Sequence, residues 1–520
     1  MALIEKILTR RSLVIGVLLL MTMAGYYVPL VLGEDPGFGL AVWNDMLSTG
    51  QFNTLLIPSP ENIAQNQSLF LTWWSPGQYM VPGALSELLN ISPGMASLWI
   101  TLAFSVAGLM GWYFVYQWLE FDKTTIALGL FFIATSRLFT INFLNYTGGE
   151  LLLFGSQPWT IWCFLKYRRQ PFILFGGLLV LSLVSFFLKT AYTIGLAALC
   201  GCAGIAFLND FRKQKKLFIP AFWTALAVGL CMVFYLALTQ LGFINLGTSP
   251  ITSTNQPFNI SWTSFETLTY PLTHWFSIAE IYPQLLIRTD FPEWGHSLYY
   301  SLMAVSFLGL IWVMKQSGHD EARWLFLGFY LVYCGIFLLL YNKGAEISVE
   351  YRHTKVVAYL FLPLLLGGAR RSQVSARWVL GTLIILNSGY GLSTFILKKV
   401  EIRNESATGS SGFALRHAEE EDLAFIHAVD KPENILYFTS GSLNVDAVKA
   451  RKLVGSIDLK FAKGCGFLAE KYDGKAGKIY AFVHEAYQQI PTNPTLESQF
   501  PAYRFRLVRQ TKKFKIYEGI

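Results

Sequence analysis

The sequence predicts a polytopic α-helical membrane protein of about eleven transmembrane helices, with a small C-terminal α/β soluble domain on the outer side. Three observations predict it. Apolar runs of about 18 residues or more, enough to cross a roughly 30 Å hydrocarbon layer as helices, recur through the first three quarters of the chain. Of 520 residues 53% are hydrophobic and only 14% charged, so the apolar surface exceeds what one soluble core absorbs. Near Lys398 the composition then shifts to charged and alternating segments.

The N-terminus, "MALIEKILTRRSLVIGVLLLMTMAGYYVPLVL", places Lys6, Arg10 and Arg11 before a span over residues 12–33. Basic residues stay cytoplasmic, and no small-residue cleavage site follows, so the span is expected to be an uncleaved signal anchor running outward. Residues 34–92 then form a long first outer loop. Its later part, "LFLTWWSPGQYMVPGALSELL", carries Pro76 and Pro82, and proline is costly inside a helix, so interfacial helices are expected there. Further spans are expected near 94–119, 124–143, 150–166, 172–188, 190–208, 217–241, 297–314, 323–341, 354–368 and 377–397. The basic loops "KYRRQ", "NDFRKQKK", "KQSGHDEAR" and "ARRSQVSAR" all fall on one side of that topology. A second long outer loop covers 242–296, with Pro and aromatic residues suited to an interfacial helix and with His274, Arg288, Asp290 and His296 as its polar groups.

The membrane module thus spans 1–397 and the outer domain 398–520. In the latter, "IRNESATGSSG" reads as a linker, "AEEEDLAFIHAV" and "NVDAVKARKLV" as helices, "NILYFTS" and "KIYAFVHEAY" as strands, and "YRFRLVRQTKKFKIYEG" as a hairpin.

The net charge of +8 sits largely in short loops and gives no ground for nucleic-acid binding. Five cysteines lie in apolar spans and Cys465 is alone in the tail, so no disulfide framework is expected. The chain has no Walker loop, dinucleotide fingerprint or nucleophile elbow, and no histidine spacing that suits zinc.

Three groups of residues can carry chemistry. Glu34 and Asp35 stand where the first span leaves the membrane. Acidic residues with Pro and Gly are ordinary helix punctuation, yet a carboxylate held at that depth is also placed to take a proton from a hydroxyl or to hold a divalent ion. Glu150, in "NYTGGELLLFG", begins another span on the same side; an acid at a helix N-terminus is stabilising there by at most about 1 kcal/mol. The cations are Arg137, inside a span, Lys189, in a tight turn, and Arg352, beside His353 at the start of a late span. Singly each fits snorkelling to headgroups; together they suit the clamping of a phosphate.

Those segments resemble the GT-C superfamily of membrane glycosyltransferases, in particular the protein O-mannosyltransferase and aminoarabinose transferase branch. The matching stretches are "GEDPGFGLAVWNDMLSTGQF", "TWWSPGQYMVPGAL" with Pro76 and Tyr79 in place, "NYTGGELLLFG", "SFFLKTAYTIG" and "VEYRHTKVVAYLFLPLLLG". The chain departs from the family pattern in lacking an Asp-x-Asp at Glu150 and a lysine beside the Pro-Tyr segment, where "WWS" stands instead.

The resemblance implies transfer of a sugar from a polyprenyl-phosphate-linked donor to an acceptor hydroxyl at the outer face, with inversion. Glu34 or Asp35 would be the base and Glu150 the second acid. Lys189, Arg352 and Arg137 are the residues available for the donor phosphate, and Trp73, Trp74, Pro76, Tyr79 and His353 would line the substrate pocket. A divalent ion (Mg or Mn), if used, would fall to Asp35 and Glu150. The expected setting is a bacterial inner (plasma) membrane, with the N-terminus cytoplasmic and the C-terminal domain periplasmic or extracellular. The rival classes are a transporter or lipid flippase, disfavoured because no internal repeat is found, and a non-catalytic envelope assembly protein.

Overall fold

The computed structural model describes residues 11–70, 75–217, 219–239, 241, 258–260, 262–276, 294–343, 351–416, 418–454, 471–485 and 492–520. Lys6, Arg10, Trp73, Trp74, Arg288, Asp290 and Cys465 lie outside the described residues, as do the side chains of Arg11, His296 and Arg352. Two compact units emerge. One comprises residues 1–21, 102–142 and 149–396; the other comprises 22–101, 143–148 and 397–520.

The chain is an α-helical integral membrane protein. Among the described residues seven helices are long and apolar enough to cross a bilayer: Pro93–Trp118, Pro171–Leu188, Tyr192–Gln214, Pro220–Leu238, Leu298–Gln316, Asp320–Asn342 and Val374–Glu405. Lys123–Thr135 with Arg137–Phe143 makes an eighth if read as one span, bent by 53°. The remaining three of the expected eleven are also helical, yet fall short as independent spans. Leu13–Tyr27 is too short. Gly149–Tyr167 carries Glu150, Gln157 and Lys166, and Lys355–Arg371 has basic residues at both ends.

Packing explains those two exceptions. Every residue from Val356 to Ala369 is buried, so this helix is apolar all round because protein surrounds it, as for a bundle's central helix. Gly149–Tyr167 is likewise mostly buried. The outward faces of Pro171–Leu188 and Pro220–Thr239 instead expose Phe172, Val180, Trp223 and Val233.

At one end of the helical unit the basic loops meet. Arg168 pairs with Glu321 at 2.7 Å, Arg370 with Asp122, and Arg371 donates to the Ser317 carbonyl at 2.5 Å. Asp122 also caps its own helix, accepting from the amides of Thr124 and Thr125. The turns at Glu150 and Lys189 lie at the opposite ends of their helices.

In the second unit the acidic pair opens a helix, Glu34–Thr49, in which Pro36 occupies the first turn, where its missing N–H is harmless. A hairpin follows, Thr54–Pro58 against Asn66–Phe70. The proline-bearing segment then forms one helix, Gly77–Leu89, with Pro76 as its cap and Pro82 inside it. Continuation through Pro82 has a cause: the Gln78 carbonyl, which the proline leaves without its helical donor, accepts instead from the Tyr146 hydroxyl at 2.5 Å.

The C-terminal strands form a mixed five-stranded sheet in the order Phe505–Gln510, Phe514–Gly519, Ile479–His484, Ile435–Phe438, Arg451–Val454. The first two pairings are antiparallel and the last two parallel. Two expectations need correction. "NVDAVKARKLV" is not a helix but the end of a 3-10 turn, Gly441–Asp446, followed by the edge strand; Asp430 caps the amides of Val448, Lys449 and Ala450 between them. Nor is "IRNESATGSSG" a free linker. Ser410 and Ser411 donate to the buried Asp446 carboxylate, and Ala414 joins a parallel pair with Val31.

Candidate functional site

In the helical unit, Glu150 stands in the first turn of Gly149–Tyr167, and Lys189 caps Pro171–Leu188. The Lys189 Nζ lies 2.5 Å from the Glu150 Oε1, and both side chains are largely buried. An ion pair held largely away from water is costly unless it is well paired, which makes these two residues candidates for a functional position.

The pair lines a small cavity of about 30 Å³, together with His353, Lys355, Trp112, Gln157 and Tyr333. Two lysines and one carboxylate are thus among its lining residues, and the Lys355 Nζ donates to the Leu138 carbonyl at 3.4 Å. Three of the lining residues also carry unmatched hydrogen-bonding groups. The Trp112 indole N–H, both amide atoms of Gln157 and the Tyr333 hydroxyl are buried with no hydrogen-bond partner among the described residues. Native structures leave few such groups, and their clustering among the residues of one cavity makes it a candidate site. Gly195 presses on the Gln157 amide so closely that a Cβ there would overlap it, at 2.0 Å.

In the second unit the Glu34 carboxylate is held at both oxygens. Ser440 donates to Oε1 at 2.9 Å and the Gly441 amide donates to Oε2. Burial pushes the Glu34 carboxyl above the ordinary carboxylate range, while those hydrogen bonds pull it back. Asp35 is its neighbour in the same helical turn.

Glu150, Lys189 and His353 are therefore brought together at one cavity. Glu34 and Asp35 share one helical turn of the other unit. Arg137 donates to the Tyr390 hydroxyl at 2.8 Å. Tyr79 is buried against Gly39 and hydrogen-bonded to Asn53, and Pro76 caps its helix. Sequence reasoning missed Trp112, Gln157, Tyr333 and Lys355. Gln157 carried a usable signal, an amide beside a proline within the apolar run "LLLFGSQPW".

Among the described residues no three His, Cys, Asp or Glu side chains converge, and Glu150 is engaged by Lys189. That donor set does not fit Mg²⁺ or Mn²⁺, which take several oxygen ligands, so no step is assigned to a metal.

No protein-family model and no curated protein sequence matches the chain. Among solved structures it is similar to ArnT from Cupriavidus metallidurans bound to undecaprenyl phosphate, with 13% identity, a TM-score of 0.48 and coverage of 98% of both chains. ArnT in the apo state matches at 14% identity and a TM-score of 0.49, covering 98% of this chain and 97% of that one. The archaeal oligosaccharyltransferase AglB from Archaeoglobus fulgidus, in complex with an inhibitory peptide and a dolichol-phosphate, matches at 12% identity and a TM-score of 0.48; 90% of this chain and 69% of that chain are covered.

Proposed function

We propose that the protein transfers a sugar from a polyprenyl-phosphate-linked donor to an acceptor hydroxyl at the outer face of a bacterial inner membrane. The observation that carries this reading is the Glu150–Lys189 pair at a cavity lined also by Lys355 and by residues with unmatched polar groups. Lys189 and Lys355 supply charge for the donor phosphate, and Trp112, Gln157 and Tyr333 supply neutral hydrogen bonds for a hydroxylated group. The sequence resemblance of the acid-bearing loop supplies the second half of the chemistry.

In this mechanism a carboxylate of the Glu34–Asp35 pair takes the acceptor's proton as its oxygen attacks the anomeric carbon. The bond from that carbon to the phosphate oxygen breaks in the same step, the phosphate leaves with the electron pair, and the anomeric centre inverts. A positioned base contributes about 10²–10⁴-fold, and cations fixed at the leaving phosphate stabilise the charge that develops there.

The test is transfer of radiolabelled sugar from farnesyl-phosphate-linked donors by the full-length protein in detergent. Asp35→Asn should lower kcat by at least about a hundredfold, and Lys189→Met should raise the donor KM. Wild-type rates in both variants would refute the assignment.

A further inference from the structure

The segment that delivers the acidic pair is gripped along its length by the C-terminal part of the same unit. Lys399 Nζ donates to the carbonyls of Val28 and Pro29, at 2.6 and 3.3 Å. The Ala414 amide donates to the Leu30 carbonyl at 2.9 Å, and Val31 pairs in parallel with both Ala414 and Asn145. Ser440 and the Gly441 amide then take the two oxygens of Glu34.

Beneath that contact the backbones touch. A Cβ on Gly37 would lie 2.6 Å from the Gly441 carbonyl oxygen, and one on Gly441 would lie 2.9 Å from Glu34 Oε2. No side chain fits at Gly37 without parting the two elements, and one at Gly441 would push on the Glu34 carboxylate and the Phe38 ring. The turn is itself anchored. Ser440 and Ser442 share a hydrogen bond of 3.0 Å, Thr439 donates to the Phe482 carbonyl of the central strand at 2.9 Å, and Asp446 holds Ser410 and Ser411.

We propose that the Ser440–Ser442 turn is a positioning element for the transfer reaction: by holding the Glu34 carboxylate it fixes the first helical turn, and with it Asp35 as the proton acceptor. This rests on the sugar-transfer reading above. It divides the labour within the acidic pair, Glu34 serving as the handle and Asp35 as the base, and it makes the soluble domain part of the catalytic apparatus. A base displaced by about 1 Å loses as much as a hundredfold in rate, which is the sensitivity such a frame would serve.

The experiment compares Ser440→Ala, Ser440→Thr and Glu34→Gln with wild type, all as full-length protein. Amide hydrogen exchange reports on Gly441 and on residues 37–41; transfer kinetics use a panel of farnesyl-phosphate-linked hexoses and pentoses. Ser440→Ala should speed exchange at those amides and lower kcat about ten- to a hundredfold with donor KM unchanged, and threonine should restore both. Combining Ser440→Ala with Glu34→Gln should cost little more than the worse single change, since both cut one contact. Faster exchange with wild-type kcat, or no change in exchange, would overturn the proposal. A wild type that transfers from none of the probes instead overturns the sugar-transfer reading and this catalytic role with it, and the exchange result separates that outcome from a failure of the grip.

Discussion

The Tyr116 hydroxyl donates to the backbone carbonyl of Tyr359 at 2.7 Å, and that carbonyl is the one Pro363 leaves without its helical partner. Proline removes the amide that would bond four residues back. In a fully buried helix no water replaces it, so a neighbouring side chain must. The same arrangement recurs in the second unit, where Tyr146 serves the Gln78 carbonyl orphaned by Pro82.

Tyr116→Phe should therefore cost about 1 kcal/mol of stability, the scale of one interhelical hydrogen bond in a membrane protein. In a Pro363→Ala background the restored N–H reoccupies the Tyr359 carbonyl, and the same tyrosine change should cost less. A double-mutant cycle on detergent-solubilised protein, followed by thermal unfolding, measures that coupling. Additive losses would show that Tyr116 acts through packing alone.

These tyrosines mark where the sequence stops being legible. Prolines 76 and 82 are visible in the chain, and the cost they impose is general. Whether that cost breaks a helix depends on a donor arriving from far along the chain, which no local pattern contains. The spans were legible for the opposite reason: lipid imposes length and apolarity on each segment separately. The central helix Lys355–Arg371 carries charge at its ends and meets lipid nowhere along its buried stretch, so it reads as a span and behaves as a core element.

The candidate site divides along the same line. Glu150, Lys189 and His353 were visible because charge is rare in apolar surroundings. Trp112 and Tyr333 look like any aromatic residue of a membrane helix, and only the cavity distinguishes them. The contact of Ser440 and Gly441 with Glu34 was equally hidden, since a serine and a glycine gain meaning only when a carboxylate hundreds of residues away docks on them.

Gln157 offers a prediction in which stability and activity move in opposite directions. Its amide is fully buried, with neither atom hydrogen-bonded among the described residues. An unsatisfied buried polar group costs about 1–3 kcal/mol, and an apolar side chain of similar size avoids that cost. Gln157→Leu should raise the detergent unfolding temperature while lowering sugar transfer by about tenfold, the outcome expected of an amide that serves the proposed donor site. A variant that loses stability and transfers normally would place Gln157 in the packing of the empty protein instead.

Glu518 gives the C-terminal five-stranded sheet an acid sensitivity of definite sign. Its nearly buried carboxylate accepts from Lys478 at 2.8 Å and Tyr480 at 3.1 Å through one oxygen, and from the Arg506 Nη2 at 2.6 Å through the other. The Lys478 hydrogen bond leads in holding its pKa down to about 2 from an ordinary 4.5. A carboxyl whose folded pKa lies below its unfolded value stabilises the fold above the unfolded value, and that contribution drains away as pH falls from about 4.5 toward 2. Because the cationic partners are exposed and screened, the amount at stake is about 1 kcal/mol. Pulse proteolysis of residues 398–520 in the full-length protein, in urea at pH 6, 4 and 3, should show resistance falling with acidity. Glu518→Gln should lose resistance at pH 6 and flatten the decline, and added salt should do the same more weakly. Identical acid profiles for variant and wild type would assign the sensitivity to other carboxylates.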